Sequence, residues 1–397
     1  MNKREKGSRY EEIAASFCIA KGYRLLEKNY RRKTGEIDLI LQDGRTVVFT
    51  EVKFRSRTRN GFPEEAVNSA KQQRIYRTAE WYLNEMHLPP DTPCRFDVIS
   101  ILDSRVEHIW REAMIRDKGI TIIREQNAKE HMAFHDGSVP YFSIPVFDSL
   151  GVKNGFSTKF GGVSEGYFAE MNLGMLKEPE EIVRENYRRM LKTLSMNEKR
   201  PVLSWQTHTT NIRRVTEEDA GKGPFRERDY RDVDGLVTDL PDTPLVTLFA
   251  DCVPLYFYDP VNRAIGLSHA GWRGTVGRMA EKTVLRMHEE FNSNPADIYA
   301  AAGPSICGSC YEIGAEVAEE FIEAFGNFRS ERFLQKKPDG KYLLDLKKAN
   351  ETVLLQCGVE KSHIFLSDIC TKCNSGLLYS HRVMGEKRGV MGAFLSL

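Results

Sequence analysis

The stretch from Leu245 to Gly274 constrains the fold most, because it places polar side chains between short, strongly apolar runs. Runs that are rich in Val, Leu, Phe and Tyr and are bounded by Asp-Pro or Gly predict buried strands. Three such runs follow one another, over residues 245–250, 253–258 and 264–268. The sequence therefore predicts buried strands whose ends carry Cys252 and His269.

A second imidazole, His208, follows another apolar run upstream, Pro201–Trp205. A thiolate and two neutral imidazoles are usual ligands of Zn²⁺, and three protein ligands leave a fourth position for water or substrate. A buried Cys is also a common apolar filler, and a His at a strand end is commonly satisfied by a carbonyl. Because the intervals between the three residues match no compact metal motif, the residues alone leave both interpretations open.

Three motifs carry a resemblance to a known family: Gln206-x-His208, Ala250-Asp251-Cys252 and His269-Ala270-Gly271-Trp272-Arg273-Gly274. In that order they resemble the signature of the laccase-domain family (YfiH/YlmD-like), and the match continues over most of residues 140–397. The family was first labelled multicopper polyphenol oxidoreductase and is now interpreted as purine nucleoside phosphorylase. The resemblance implies a layered α+β fold and a metal, Zn²⁺ or alternatively Cu²⁺, held by His208, Cys252 and His269.

The same resemblance implies the substrates and a second activity. The expected substrates are adenosine, inosine and S-methyl-5'-thioadenosine with phosphate, the products are base and ribose 1-phosphate, and adenosine deaminase activity accompanies them. Arg273 is the expected catalytic cation, and substrate or phosphate binding is expected from Lys159, Asn172 and Arg382. The family usually has Arg where Lys159 stands, and its closing Gly-Arg is absent because Val390 follows Gly389.

The turn-rich segment around Lys159, residues 157–164, contains Gly161-Gly162. Two glycines let backbone N–H groups approach an anion closely, so this segment fits a phosphate cradle. A plain hairpin turn fits equally well.

The length of 397 residues predicts two domains. Residues 1–118 carry 23 Lys and Arg against 18 Asp and Glu, whereas the whole chain has a net charge of +1. We therefore expect a basic domain over residues 1–118, a linker over 119–139 and an acidic domain over 140–397, in an α/β protein. A charged N-terminus, eight cysteines and no apolar run near about 18 residues indicate a cytoplasmic protein without a membrane partner.

The N-terminal part contains a hairpin pattern, Gly35–Ile40 and Thr46–Phe49 around Asp43-Gly44. Period-two alternation places Glu36 and Asp38 on one face of the first strand, and Glu51 and Lys53 on one face of the second. Such acids and a lysine could form a Mg²⁺ site for phosphodiester cleavage. An exposed hairpin with cross-strand charge pairs is the alternative.

Asp38 with Glu51-Val52-Lys53 resembles the PD-(D/E)xK nuclease core, and the flanking residues resemble the small bacterial YraN-like family, relatives of Holliday-junction resolvases. The resemblance covers about residues 7–117 and implies a restriction-endonuclease-like mixed sheet with helices. Basic loop residues then suit phosphate contacts with DNA, namely Arg31, Arg32, Lys33, Arg55, Arg57 and Arg59.

Two further patterns are less specific. Cys307/Cys310 and Cys370/Cys373 form two Cys-x-x-Cys pairs, but the interval between them far exceeds the about 15–20 residues of a zinc ribbon, so we interpret them as buried thiols. His131 and His135 have i,i+4 spacing without a third ligand, which indicates chance placement.

Two other functions stay open for the whole chain. The first is a copper-dependent polyphenol oxidoreductase, against which the nine histidines argue, because O₂ chemistry with several coppers generally needs more. The second is a DNA-processing protein whose C-terminal domain is accessory.

Overall fold

The structure is a computed structural model and describes residues 3–32, 35–55, 75, 78–79, 81–88, 92, 94–102, 105–108, 112–114, 122–125, 129–175 and 177–397. The chain divides into two compact units, Met1–Gln126 and Asn127–Leu397. This division falls inside the segment 119–139. Lys33, Arg57 and Arg59 lie outside the described residues, as do the side chains of Lys53 and Arg55.

The N-terminal unit is built on one mixed sheet. Its elements are α1 (Lys3–Ala20), β1 (Arg24–Arg32), β2 (Gly35–Asp43), β3 (Thr46–Arg55), β4 (Cys94–Leu102), β5 (Arg105–His108) and β6 (Glu112–Met114). The strand order is β1-β2-β3-β4-β5, with β6 also paired to β4. Strands β1 to β3 are antiparallel, and β3 and β4 are parallel.

Both faces of this sheet are covered. Ala14, Ala15 and Cys18 of α1 pack on one face, against Leu39 and Leu41 among others. Ile40 and Phe49 pack on the other, against Ile75, Ala79, Tyr82 and Leu83. The hairpin predicted around Asp43-Gly44 is confirmed. Its strands contribute to the core through Leu39–Leu41 and Val47–Phe49, and the alternative of exposed cross-strand charge pairs describes only the Glu36 end of β2.

The C-terminal unit contains two six-stranded sheets and a small three-stranded one. Its strands are β7 (Ala133–His135), β8 (Tyr141–Ser143), β9 (Lys153–Ser157), β10 (Val202–Leu203), β11 (Ile212–Arg214), β12 (Gly235–Thr238), β13 (Leu245–Phe249), β14 (Val253–Asp259), β15 (Ala264–Ala270), β16 (Tyr299–Ala302), β17 (Glu312–Ile313), β18 (Leu334–Lys336), β19 (Tyr342–Leu344), β20 (Ile364–Leu366) and β21 (Met391–Ser396). The first sheet has the order β10-β13-β21-β9-β8-β7, the second β11-β12-β15-β14-β16-β20, and the third β17-β19-β18.

The helices of this unit flank the sheets. They are α2 (Pro145–Ser149), α3 (Glu180–Thr193), α4 (Trp272–Val276), α5 (Met279–Phe291), α6 (Ala315–Phe325), α7 (Asn327–Ser330), α8 (Leu346–Gln356) and α9 (His381–Met384). Helix α3 buries Val183, Tyr187, Met190 and Leu191, at helical spacing, in a core that includes Val246 and Phe394 of the first sheet. Helices α5, α6 and α8 form the core over the second sheet. No helix within the described ranges is long and apolar enough to cross a bilayer.

The three apolar runs predicted as strands are confirmed as β13, β14 and β15, but they do not share one sheet. The chain passes from the first sheet to the second between Phe249 and Val253, and Asp251 at this crossing has φ 90°. Every residue of β14 and β15 is buried, which contributes about 1.5–3 kcal/mol for each large apolar side chain. Cys252 therefore lies in the short segment through which the chain passes from the first sheet to the second.

Candidate metal centre

The register of one hairpin brings Cys252 and His269 together. Strands β14 and β15 are antiparallel, with Val253 opposite Ala270 and Pro254 opposite His269. The Asp259 carboxylate closes the turn by accepting hydrogen bonds from two following backbone N–H groups. Because Cys252 directly precedes β14, it lies beside the end of β15.

His208 reaches the same place through two further pairings. Strand β12 is antiparallel to β15, with Gly235 opposite Ser268, and β11 is parallel to β12, with Ile212 opposite Gly235. The segments that precede β11 and β12 therefore converge on the end of β15. The ligand atoms of His208, Cys252 and His269 all lie within 4.8 Å of one another.

Asp234 holds the His269 imidazole and the backbone of His208, and the sequence pattern indicated no role for it. Its carboxylate is fully buried and accepts the backbone N–H groups of Thr207, His208 and Thr209 at 3.0, 3.1 and 3.0 Å. It also accepts the Nδ1–H of His269 at 2.8 Å. That bond leaves Nε2 of His269 as the ligand nitrogen, an arrangement common around metal-bound histidines.

The electrostatics of the site favour a thiolate. Burial raises the pKa of Cys252, but the charge of His269 and hydrogen bonds from both imidazoles outweigh it and lower the pKa to about 6. Burial lowers the pKa of His269, but the Cys252 charge and the Asp234 hydrogen bond raise it to about 9. Burial likewise raises the pKa of Asp234, and the His269 hydrogen bond and backbone donors bring it below its usual value.

The donor set fits a metal ion. One sulfur and two imidazole nitrogens suit Zn²⁺ or copper. His269 is 4% exposed, Cys252 is partly exposed and His208 is exposed, so one side of the site is open. Gly271 makes room for the ligands, since a Cβ there would lie 3.0 Å from Cys252 Sγ and 3.1 Å from His208 Cδ2.

Arginines and a partly buried phenol lie near the three ligands. Arg273, at the start of α4, is exposed and its guanidinium lies 4.2 Å from the Trp272 ring centroid. Arg382 lies 5.0 Å from the Tyr311 ring centroid and donates to the Glu312 carbonyl at 2.9 Å. Burial and the Cys252 charge raise the pKa of Tyr311 to about 12, while Arg382 and Arg273 act against that rise.

Arg388 is a cation that the sequence interpretation missed. Burial lowers its pKa, and the charges of Asp251 and Cys252 partly restore it, so its guanidinium lies near the site. Its Nε donates to His381 Nδ1 at 3.3 Å. The family pattern has an arginine directly after the glycine at position 389. This chain has Val390 there, and Arg388 directly precedes Gly389.

Two of the predicted substrate-binding residues are engaged within the protein. Lys159 Nζ donates to the Ser375 carbonyl at 3.0 Å, and burial lowers its pKa. Asn172 is 2% exposed, and its Oδ1 accepts the N–H groups of Gly174 and Val390 at 3.0 Å. This geometry favours a role for Asn172 in positioning the segment after Arg388 over direct substrate contact.

The N-terminal acids are only partly brought together. Asp38 Oδ2 accepts the Val52 N–H at 2.8 Å, and the register that pairs Leu39 with Thr50 continues towards Glu51, which is 2% exposed. Glu36 is exposed instead and pairs with Arg31 at 3.1 Å. Within the described residues, both groups of three or more His, Cys, Asp or Glu with metal-binding geometry lie in the C-terminal unit.

The second of those groups consists of Cys307, Cys310, Cys370 and Cys373. The interpretation as buried thiols is confirmed for Cys307 and Cys370, which are free and buried, while Cys310 and Cys373 are partly exposed and all four sulfurs lie together. His131 and His135 form no such group: His131 Nδ1 contacts the Leu366 backbone, and His135 Nε2 contacts Ser143 Oγ at 2.8 Å.

Comparison with known proteins places both parts of the chain. The model of the family described as multi-copper polyphenol oxidoreductase laccase matches residues 153–397, more than half of the chain. The chain belongs to this laccase family. Residues 10–101 match uncharacterised protein family UPF0102, the family of the YraN-like resemblance.

Three relatives of the C-terminal part illustrate the activities that proteins similar to it are named for. A Bacillus subtilis protein named purine nucleoside phosphorylase YlmD is 36% identical over 248 residues, 61% of this chain and 87% of the relative. A protein named adenosine deaminase RL5, from an unknown prokaryotic organism, is 35% identical over 47% of this chain and 71% of the relative. The crystal structure of YlmD from Geobacillus stearothermophilus matches with a TM-score of 0.63 and 36% identity, covering 68% of this chain and 99% of that chain.

The N-terminal part has relatives of its own. A UPF0102 protein of Lachnoclostridium phytofermentans is 44% identical over 109 residues, 28% of this chain and 92% of the relative. The laccase-family chain therefore combines two parts, each of which resembles a separate protein.

Proposed function

We propose that the C-terminal unit is a metal-dependent purine nucleoside phosphorylase. Its substrates are adenosine, inosine and S-methyl-5'-thioadenosine, which it cleaves with phosphate to the base and the ribose 1-phosphate or its methylthio analogue. The observation that carries the proposal is the convergence of His208, Cys252 and His269 on an open-sided site bordered by arginines. The similarity to proteins named purine nucleoside phosphorylase supports it.

The three ligand residues hold the ion, and Zn²⁺ suits a thiolate and two imidazoles best. Zn²⁺, when bound, supplies Lewis-acid chemistry. Asp234 keeps Nδ1 of His269 protonated and its Nε2 free to coordinate. It also holds the Thr207–Thr209 backbone, so that His208 approaches from a fixed direction.

The arginines supply what phosphorolysis needs. A phosphate must reach the anomeric carbon of the ribose while positive charge develops on the sugar ring, so anion positioning is the main task. The charges of Asp251 and Cys252 act on Arg388, and those of Arg382 and Arg273 act on Tyr311, whose ring centroid lies 5.0 Å from the Arg382 guanidinium. We assign phosphate binding to these arginines, with Lys159 as a more enclosed point charge at the side.

Adenosine deamination is the second proposed activity of the same site. The relative named adenosine deaminase RL5 supports it. Hydrolysis at the purine and phosphorolysis at the ribose both place an adenosine beside the same ligands, so one substitution should remove both.

The test is incubation of the full-length protein with adenosine, with and without phosphate. Inosine should form with or without phosphate, whereas adenine, hypoxanthine and ribose 1-phosphate should form only with phosphate. Cys252→Ala should abolish all products, whereas Cys357→Ala, which changes a partly exposed cysteine of α8's end, should retain them. Full activity of Cys252→Ala would refute the site.

Copper-dependent phenol oxidation is the rival function that the family description raises. Several coppers need several ligand clusters, yet His208, Cys252 and His269 form the one histidine-containing group found across the described part of the chain. Metal analysis that finds copper, together with phenol oxidation that depends on Cys252, would favour the rival.

For the domain expected over residues 1–118, which lies within the unit Met1–Gln126, we propose DNA binding on a restriction-endonuclease-like fold with Mg²⁺ held near Asp38 and Glu51. The hydrogen bond from the Val52 N–H to Asp38 supports this, because it holds one carboxylate over the strand that carries the other. Salt-dependent DNA binding with Mg²⁺-dependent nicking, lost in Glu51→Gln, would establish cleavage. Binding without nicking would restrict the unit to DNA recognition.

We also propose that both activities operate in the cytoplasm. All eight cysteines are free, although four of them lie close enough to react. Free thiols in such proximity suit a reducing compartment.

A further inference from the structure

The four-cysteine cluster, Cys307, Cys310, Cys370 and Cys373, is assembled by the pairing of β16 and β20. These strands are parallel neighbours, with Ala302 opposite Leu366, so the chain leaves both at the same edge of the sheet. An isolated bridge between Ser305 and Cys370 continues the pairing past the strand ends. The two Cys-x-x-Cys turns therefore face each other although a long segment of sequence separates them.

The sulfur positions have the dimensions of a tetrathiolate metal site. All four Sγ atoms lie within 4.8 Å of one another, and Cys310 Sγ and Cys373 Sγ are 3.5 Å apart. A tetrahedron with zinc–sulfur bonds of about 2.3 Å has sulfur–sulfur edges of about 3.8 Å. No pair is joined as a disulfide.

Backbone donors point at the cluster as they do around metal-bound thiolates. The Cys307 N–H donates to Cys370 Sγ at 3.2 Å, and the Cys373 N–H donates to the same sulfur at 3.5 Å. Such N–H···S bonds stabilise negative charge on sulfur and orient the ligand. Ile306 and Tyr311 pack on the cluster, so its surroundings are largely apolar. Four thiolates without a bound cation would repel one another there.

We propose that Cys307, Cys310, Cys370 and Cys373 bind a structural Zn²⁺, separate from the ion held by His208, Cys252 and His269. Four sulfur ligands fill the tetrahedral shell, which leaves no position for water or substrate and is the pattern of a structural site. Binding would release the thiol protons and join two loops that hydrogen bonds and packing otherwise connect.

The structural ion also supports the candidate metal centre through Asp251, and this part rests on the proposed function. The Ile306 N–H donates to the Asp251 carbonyl at 3.0 Å, and Thr371 Oγ1 donates to Asp251 Oδ1 at 2.6 Å. Ile306 directly precedes Cys307, and Thr371 directly follows Cys370. Asp251 precedes Cys252 in the chain, so the two loops fix the backbone that presents the thiolate of the other centre.

The experiment is metal analysis of the full-length protein purified under reducing conditions with Zn²⁺ in the growth medium. We expect two Zn²⁺ per chain in the wild type and one in Cys307→Ser/Cys310→Ser. Cys252→Ser should also retain one, and the combined variant none. Cys357→Ser, a free cysteine outside both groups, should retain two. No Zn²⁺ in the wild type, or an unchanged content in Cys307→Ser/Cys310→Ser, would overturn the proposal.

X-ray absorption at the zinc edge provides a measurement that does not depend on folding of the Cys307→Ser/Cys310→Ser variant. In Cys252→Ser, the remaining Zn²⁺ should show four sulfur neighbours at about 2.3 Å. A shell that contains nitrogen or oxygen, or mass spectra that show disulfides among the four cysteines, would contradict a tetrathiolate site. Two Zn²⁺ per chain without nucleoside turnover would refute the phosphorylase and leave the structural ion established.

Discussion

Asp234 positions both histidines of the candidate metal centre. Its buried carboxylate accepts the His269 Nδ1–H and the backbone N–H of His208. Hydrogen bonds to a charged acceptor are stronger than neutral ones, and removing such a partner leaves the donors unsatisfied. The geometry of the ligands therefore depends on a residue that does not coordinate.

Asp234→Asn should weaken Zn²⁺ binding by about 10- to 100-fold, since an amide has one fewer acceptor and no charge to hold the His269 tautomer. Competition with a chromophoric chelator measures the affinity. Asp232→Asn is the matched control, because Asp232 accepts Thr207 Oγ1 nearby and is exposed. Equal affinities in the two variants would show that Asp234 does not position the ligands.

The lowered pKa of Cys252 gives a pH dependence in the metal-free protein. A pKa of about 6 means that the thiolate persists as the pH falls from 9 towards about 6 and is protonated below it, whereas an ordinary thiol is already protonated below about 8.5. Alkylation of Cys252 by iodoacetamide should therefore stay fast at pH 7 and slow below pH 6.

Cys357 serves as the internal reference for this experiment. Burial and the charge of Glu281 raise its pKa to about 11, so its alkylation should be slow at pH 7 and accelerate as the pH rises. Peptide mass spectrometry of one sample follows both residues. A Cys252 profile that rises in parallel with that of Cys357 would exclude the thiolate–imidazolium pair.

At the scale of elements, the three strands around Cys252 and the polar residues at their ends could be predicted from local pattern, but their partner strands could not. Apolar runs on either side of Asp259-Pro260 predicted β14 and β15 as strands, and their antiparallel pairing in the structure brings Cys252 and His269 together. No local sequence pattern indicates that the chain passes from one sheet to the other before β14, because tertiary packing determines which strands pair. Helices α4 and α5 are separated at Arg278, whose φ is 61°, and this too depends on packing.

The turn between β15 and α4 contains Gly271, where an added Cβ would crowd the metal ligands. Gly271→Ala should lower the metal affinity about tenfold or more, because the added Cβ would press on Cys252 Sγ and His208 and displace the ligands by a few tenths of an ångström. Gly274→Ala is the control, since its Cβ would meet its nearest atom at 3.4 Å. Chelator competition and thermal unfolding should show weaker binding in Gly271→Ala alone, with both variants folded. Unchanged binding in Gly271→Ala would mean that the ligands tolerate the extra methyl group.

At the scale of the whole molecule, length and charge asymmetry predicted two parts, and the motifs predicted the family of each. What the sequence could not give is the arrangement that depends on distant segments. Cys307 and Cys370 meet through parallel strands, and Arg388 reaches the site through the chain's last turn before β21. Both cases involve residues whose neighbours in sequence are not their neighbours in space.

Each unit corresponds to a relative of its own length, so each should act without the other. The aligned 248 residues cover 87% of the YlmD relative, and the aligned 109 residues cover 92% of the UPF0102 relative. A fragment of residues 127–397 should therefore keep its Zn²⁺ content and a kcat/KM for adenosine within about twofold of the full chain, because a domain with its own core folds alone. Phosphorolysis assays and metal analysis of the fragment, with Cys252→Ala in the same fragment as the inactive control, measure both. A fragment that folds and binds Zn²⁺ but loses most of its kcat/KM would show that the N-terminal unit contributes to nucleoside turnover. The two units would then not be independent proteins joined in one chain.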